Sequence, residues 1–226
     1  MKSLILLSGG TGARMNQTVP KQFLMLAGKP LIMHTLERAE KIEQIDEIVI
    51  VCHKDYQGLV ASYLDSYGIH TTCKIIPGGA TRQESAYLGL KAAENAHVVI
   101  HEAARPFVKR EEFEQLITLP EENVTMGCPI PFTVLKGPKK ITGLLEREEL
   151  VNIQLPQKFN RQMLLRAHEL ARKEGRVFTE DASLLYYYTK AEIAVHSGTV
   201  YNVKVTEPID LVMGEVIYKE YIIGGD

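Results

Sequence analysis

Residues 3–24 read SLILLSGGTGARMNQTVPKQFL, an apolar run that breaks into glycines and then delivers Arg14 and, seven positions on, Lys21. Leu4 to Leu7, close to the start of the chain and just before Gly9-Gly10, read as a buried parallel strand. The glycines that follow leave no Cβ in the way, so successive backbone N–H groups at Gly9, Gly10, Thr11 and Gly12 can form a concave nest for an anion. Arg14 and Lys21 add the charge that a phosphate-bearing ligand asks for, although the same pattern also fits a glycine-rich turn with two solvated cations. The stretch lacks the Gly-Lys-Ser/Thr ending of a P-loop, and Met15 stands where a dinucleotide fingerprint needs its third glycine.

Composition sets outer bounds. The 226 residues carry 45% hydrophobic and 24% charged side chains, as expected of a globular enzyme with a sizeable core. With 26 basic and 28 acidic residues there is no basic excess for nucleic acid or a membrane surface, so any positive site has to be local. Cys52, Cys73 and Cys128 are odd in number and lie in apolar segments, which predicts buried thiols. The apolar strand starts at residue 3 and no apolar run reaches the roughly 18 residues of a membrane span, so a cytoplasmic chain is expected.

The alternation of elements points to one α/β domain over 1–226. Leu31 to Ile42 has helical periodicity behind Pro30. Ile48 to Cys52 reads as a strand, Tyr56 to Tyr67 as a helix and Thr72 to Ile76 as a strand, a β-α-β-α-β order that implies a parallel sheet with right-handed crossovers. Gly78-Gly79 feeds a helix whose apolar positions begin at Ala86, placing a positive helix end at the mouth of the sheet. Val98 to Ile100 is a fourth strand, ending in HEAARPF at 101–107, where ligands of open α/β sheets bind. A further strand is expected at 123–129. The stretch from there to Pro156 is irregular, with a dense charged run at Glu146 to Glu149, and reads as an arm or lid over about 131–156. Helices are expected over 161–173 and from about Glu180, with Thr179 as the capping hydroxyl, then strands at 193–196 and 202–206 and a terminal helix from Pro208.

The motifs GTGARM at 10–15 and PKQFL at 20–24 resemble the nucleoside-triphosphate loop of the cytidylyltransferases that make CDP-methylerythritol and CDP-ribitol. That resemblance continues through GGATRQES at 78–85, HEAARP at 101–106, Thr133 and Arg147 in the arm, TEDAS at 179–183 and NVKVT at 202–206. It implies a three-layer, Rossmann-like nucleotidyltransferase fold with a mixed, mainly parallel sheet and a protruding β-arm that joins a homodimer. Arg14, Lys21 and Lys204 are then the expected catalytic cations. Nucleotide contacts are expected from Gly9, Gly10, Thr11 and Gly12, and also from Gly79, Arg82, Ser85 and Ala103. The acceptor falls to Glu102, Arg105, Thr133, Arg147 and Thr179, and a magnesium ion to Glu102.

The implied reaction joins CTP to a polyol phosphate and releases pyrophosphate. Three departures from the family pattern bear on the acceptor: Glu102 replaces an aspartate, Phe132 an aspartate and Leu155 a threonine. Together with GGTGARM at 9–15 and PKQFL at 20–24, which look more like the ribitol-phosphate enzymes, they favour ribitol 5-phosphate or a similar alditol phosphate; HEAARP looks more like the 2-C-methyl-D-erythritol 4-phosphate enzymes, the alternative enzyme reading. Outside enzymes, the rival is a nucleotide-binding dimer that has lost turnover.

Overall fold

A computed structural model describes residues 1–10 and 19–224. In chain order its elements are β1 (Lys2–Ser8), β2 (Met25–Leu26), β3 (Lys29–Pro30), α1 (Leu31–Ala39), β4 (Ile45–Cys52), α2 (Gln57–Ser66) and β5 (Thr72–Pro77). Next come α3 (Arg82–Ala92), β6 (His97–Glu102), α4 (Arg110–Thr118), β7 (Val124–Pro129), β8 (Leu135–Lys136), β9 (Gly143–Leu144) and β10 (Val151–Asn160). The chain closes with α5 (Arg161–Glu174), α6 (Asp181–Thr189), β11 (Ala194–Ser197) and α7 (Pro208–Ile217).

Among the described residues seven strands form one sheet in the order β11-β7-β10-β6-β1-β4-β5. β1 pairs in parallel with both β4 and β6, and β10 alone runs antiparallel to its neighbours. The period-two geometry of β1 sends Leu4 and Leu6 into one core and Ile5 and Leu7 into the other. The first core is closed by Ile32 and Leu36 of α1, Val60 of α2 and Phe113 of α4. The second is closed by Leu90 of α3, Leu164 of α5 and Leu185 of α6, which gives three layers. Helix α3 lies so near β1 that a Cβ on Gly89 would stand 2.5 Å from Ile5 Cγ2. Only glycine permits that approach.

Four sequence expectations change here. The arm is shorter than 131–156, because 151–156 belongs to β10. That strand was hidden by Gln154, Gln157, Lys158 and Pro156, all buried or interior polar and breaker residues that do not read as a central strand. Its ladder shifts register between Gln154 and Gln157, which is how a residue without an N–H is tolerated inside a sheet. The amphipathic helix α4, which buries Phe113, Leu116 and Ile117, was not foreseen. Residues 202–206 form no strand; they run as an irregular segment held by Val205 N–H donating to Ala104 O at 2.8 Å. Finally, Cys52 and Cys128 are buried as expected, while Cys73 is only partly so.

Between β7 and β10 the chain leaves the sheet as a two-stranded hairpin, β8 against β9. Phe132, Ile141 and Leu144 on this segment are 74%, 70% and 74% exposed. Among the described residues no helix is long and apolar enough to cross a membrane.

Candidate active site

The carboxyl ends of β1 and β6 and the turn that follows β5 surround a cavity of about 330 Å³. β1 delivers Ser8, Gly9 and Gly10 to its wall. The turn Lys21–Phe23 lies beside them, and Gln22 Nε2 donates to Ser8 O at 2.7 Å, tying the two ends of the glycine loop together. Lys21 reaches across the opening to donate to Val205 O at 3.1 Å. On the opposite side Gly78 N–H donates to Cys52 O at 2.8 Å, which pins the turn after β5 to the end of β4.

The turn from Gly79 to Ser85 is built from its own hydrogen bonds. Ser85 Oγ accepts from Gly79 N at 3.1 Å and donates to Thr81 O at 2.9 Å, while Thr81 caps α3 by accepting from Glu84 N at 3.0 Å. A Cβ on Gly79 would fall 2.2 Å from the Glu84 side chain, so the backbone is closed against the helix start. The positive end of α3 therefore faces the cavity.

The third wall is ionic. Glu102, at the end of β6, meets Arg82 Nε at 2.8 Å through Oε1 and Lys204 Nζ at 2.6 Å through Oε2, with Arg105 Nε 3.8 Å away. Burial alone would raise the Glu102 carboxyl, but Arg82 and then Lys204 outweigh it and hold the pKa at about 2. Arg82 also donates through Nη1 to Asp181 Oδ2 at 2.8 Å, and burial, which favours its neutral form, is more than offset by the two carboxylates. Arg105 donates to Asn202 O at 3.0 Å and thereby anchors the segment that carries Lys204. His101, next to Glu102, is structural: burial depresses it to about 4 and its Nε2 is bonded to Arg105 O at 3.0 Å.

Most sequence-predicted residues converge on this cavity. Gly9, Gly10, Lys21, Gly79, Arg82, Ser85, Glu102, Ala103 and Lys204 all line it, and Arg105 stands behind Glu102. Thr11, Gly12 and Arg14 lie outside the described residues. Thr133 is exposed on the hairpin segment, and Arg147 lines a different hollow with Cys128, Pro129 and Val151. Within one chain, neither joins the cavity. Thr179 is exposed and does not cap α6; the helix begins at Asp181, so Glu180 holds the cap position and accepts from Ser183 N at 3.0 Å. Asp181 was read only as a helix-start acid, yet it is buried against Arg82 and His168. No local pattern marks a pairing across 99 residues.

Among the described residues no group of three or more His, Cys, Asp or Glu could hold a metal ion. Glu102 is the only carboxylate among the described cavity-lining residues, and Lys204 and Arg82 already flank both its oxygens. That donor set does not fit a resident metal. It fits a magnesium ion carried in on nucleotide phosphates, which needs only one or two protein carboxylates.

A glycine-walled, cation-rich cavity at the carboxyl ends of a three-layer α/β sheet, with a positive helix end facing it, defines a nucleotidyltransferase. The family described as IspD, 2-C-methyl-D-erythritol 4-phosphate cytidylyltransferase, matches residues 3–220, and the chain belongs to it. Relatives of that name include one from Clostridium botulinum (strain Langeland / NCTC 10281 / Type F), 36% identical over 224 residues, covering 96% of this chain and 97% of the relative. Another, from Bacillus cytotoxicus, is 34% identical over 221 residues, covering 95% and 96%. Among solved structures, 4-diphosphocytidyl-2C-methyl-D-erythritol synthase from Anaerococcus prevotii superposes with a TM-score of 0.86 at 24% identity over 97% of this chain and 96% of that one. The 2-C-methyl-D-erythritol 4-phosphate cytidylyltransferase of Thermus thermophilus gives 0.75 at 26% identity over 97% and 100%. The chain is thus a cytidylyltransferase enzyme.

Proposed function

We propose that this enzyme transfers the cytidylyl group of CTP to 2-C-methyl-D-erythritol 4-phosphate and releases pyrophosphate. The observation that carries the acceptor is the full-length match to relatives named for that reaction. It outweighs the expectation of ribitol 5-phosphate, which rested on two loop motifs and on the substitutions at Glu102, Phe132 and Leu155. Leu155 is 5% exposed within the core beneath α5 and α6 and does not line the cavity, and Phe132 is on the hairpin. Only Glu102 borders the cavity.

In this reading an oxygen of the acceptor phosphate attacks the α-phosphorus of CTP in line. One P–O bond forms as the bond to the bridging oxygen breaks, and pyrophosphate departs with the electron pair. Both reactants are already ionised, so alignment and charge stabilisation supply most of the rate. Lys21 and Lys204 face the crowded negative charge from two sides, and the N–H groups of Gly9 and Gly10 hold the leaving phosphates. The turn at Gly79 and Ser85 receives the base. A magnesium ion brought in on the triphosphate would add neutralising charge there, with Glu102 as the nearest protein carboxylate.

Pyrophosphate release, measured with CTP, ATP and GTP against methylerythritol 4-phosphate and ribitol 5-phosphate, tests this directly. CTP with methylerythritol phosphate is expected to exceed ATP by at least about 100-fold in kcat/KM, because a base pocket built on backbone polar groups rejects a ligand that leaves them unpaired. Equal turnover with ATP, or a preference for ribitol 5-phosphate, would overturn the assignment.

A homodimer joined through the hairpin belongs to the same proposal. Its support is the apolar exposure of Phe132, Ile141 and Leu144, too large for a surface facing only water, together with Arg147 standing away from the cavity of its own chain. If the hairpin acts on the partner's site, Arg147→Ala and Lys21→Ala subunits mixed in equal amounts regain about a quarter of wild-type activity, from one intact site in each hybrid. Subunits that exchange without regaining activity would show that Arg147 does not act in trans.

A further inference from the structure

From Glu102 and Arg82 in the cavity wall a line of charges runs back to two residues that do not reach the cavity. Glu102 Oε1 meets Arg82 Nε at 2.8 Å, Arg82 Nη1 meets Asp181 Oδ2 at 2.8 Å, and Asp181 Oδ1 meets His168 Nε2 at 2.9 Å. These four residues come from β6, α3, α6 and α5. Asp181 and His168 are 1% and 0% exposed, and neither lines the cavity. We propose that Asp181 and His168 are positioning residues: they hold Arg82 against Glu102 and so fix Glu102, the carboxylate on the acceptor side of the cavity.

The geometry carries this in three steps. A guanidinium is a rigid plane, and a carboxylate on each of two nitrogens fixes both its position and its rotation. With Asp181 gone, Arg82 would keep a single contact to Glu102 and could turn about it. A carboxylate accepts hydrogen bonds only, so His168 must donate through Nε2, which sets the ring's orientation and in turn the rotation of the Asp181 carboxyl group. Last, the chain of contacts ends at the cavity, on the oxygen of Glu102 opposite the one that faces Lys204. A pair serving only to fill the core could be apolar, since buried ion pairs seldom outdo well-packed hydrophobic residues. Outer-layer partners of this kind typically change function by about 10- to 100-fold when removed.

The proposal rests on the reading of Glu102 as an acceptor-side residue, and the test separates the two. Rates are measured with acceptor varied at saturating CTP, and with CTP varied at saturating acceptor, for His168→Leu, His168→Gln and Asp181→Asn. His168→Leu should lower kcat/KM for the acceptor by about 10-fold with KM for CTP within about twofold, and His168→Gln, whose amide can donate to Asp181, should recover most of the loss. In ¹⁵N-arginine-labelled enzyme, the Arg82 Nε–H should exchange slowly in the wild type and His168→Gln and quickly in His168→Leu. Asp181→Asn, of equal size, gives the same reading if His168→Leu does not fold. Unchanged kinetics in His168→Leu, a glutamine no better than leucine, or acceptor and CTP parameters falling together with the melting temperature would each overturn the proposal. If methylerythritol phosphate proves not to be the substrate, the exchange of Arg82 still reports on the positioning, and the kinetic series is run on the alditol phosphate that is turned over.

Discussion

Lys21→Ala is expected to lower kcat by about 10²- to 10³-fold while KM for CTP changes much less. The lysine enters from the turn after the glycine loop and donates to Val205 O at 3.1 Å, so its ammonium is held at the cavity before any ligand arrives. A charge held in place needs little rearrangement when negative charge gathers at the α-phosphorus, and its contribution is therefore greatest in the transition state. Lys21→Arg keeps the charge but spreads it over a larger plane, and should recover only part of the rate. Steady-state kinetics on the purified variants decide the matter. A loss confined to KM for CTP would make Lys21 a binding residue for the triphosphate and remove it from the chemical step.

The second large effect concerns stability. Glu102 is 6% exposed and faces Arg82, Lys204 and Arg105, whose side chains are 25%, 37% and 16% exposed, so Glu102→Ala leaves three cations without their shared carboxylate. Breaking a fully buried pair from one side costs about 3–5 kcal/mol, and the partial exposure of Arg82 and Lys204 lowers the expected loss to about 2–3 kcal/mol. The effect has a defined pH signature. The carboxyl is held at about 2 against an ordinary 4.5, so its stabilisation is fully present above about pH 4.5 and is lost as the pH falls through 2. Denaturant unfolding of wild type and Glu102→Ala should differ by the full amount at pH 7 and converge between pH 4.5 and 2. A constant difference across that window would mean that the charge of Glu102 contributes nothing to the fold. Glu102→Asp, which keeps the charge but shortens its reach, should fall between the two.

The sequence revealed the parts of the cavity that depend on neighbours in the chain. β1 showed as an unbroken apolar run, the turn at Gly78-Gly79 as glycines before a helical period, and Glu102 by its place just after a strand. These signals are local, and the ends of parallel strands necessarily gather at one edge of the sheet. The strand β10 was not legible because its interior holds Gln154, Gln157 and Lys158, buried polar residues whose partners lie elsewhere: Gln157 bonds Thr125 and Lys158 bonds Leu119 O. Propensity and alternation cannot register such partners. The same holds for Asp181 and His168, which looked like a helix-start acid and an ordinary helical residue until the fold brought them to Arg82. Thr179 failed for a narrower reason: a threonine at a helix start resembles a cap, but α6 begins one residue later than that cap would require, at Asp181.

β10 has a further meaning, because it is both the returning limb of the hairpin and the strand against which the Lys204 segment is moored. Asn202 Nδ2 donates to Leu155 O at 2.6 Å and Gln154 Nε2 donates to Thr199 O at 2.9 Å, while Arg105 grips Asn202 O from the other side. The hairpin root and the lysine loop are therefore fastened to the same stretch of backbone, like two ropes on one cleat. The hairpin's position and that of Lys204 are thus set from one common strand, by two side-chain hydrogen bonds.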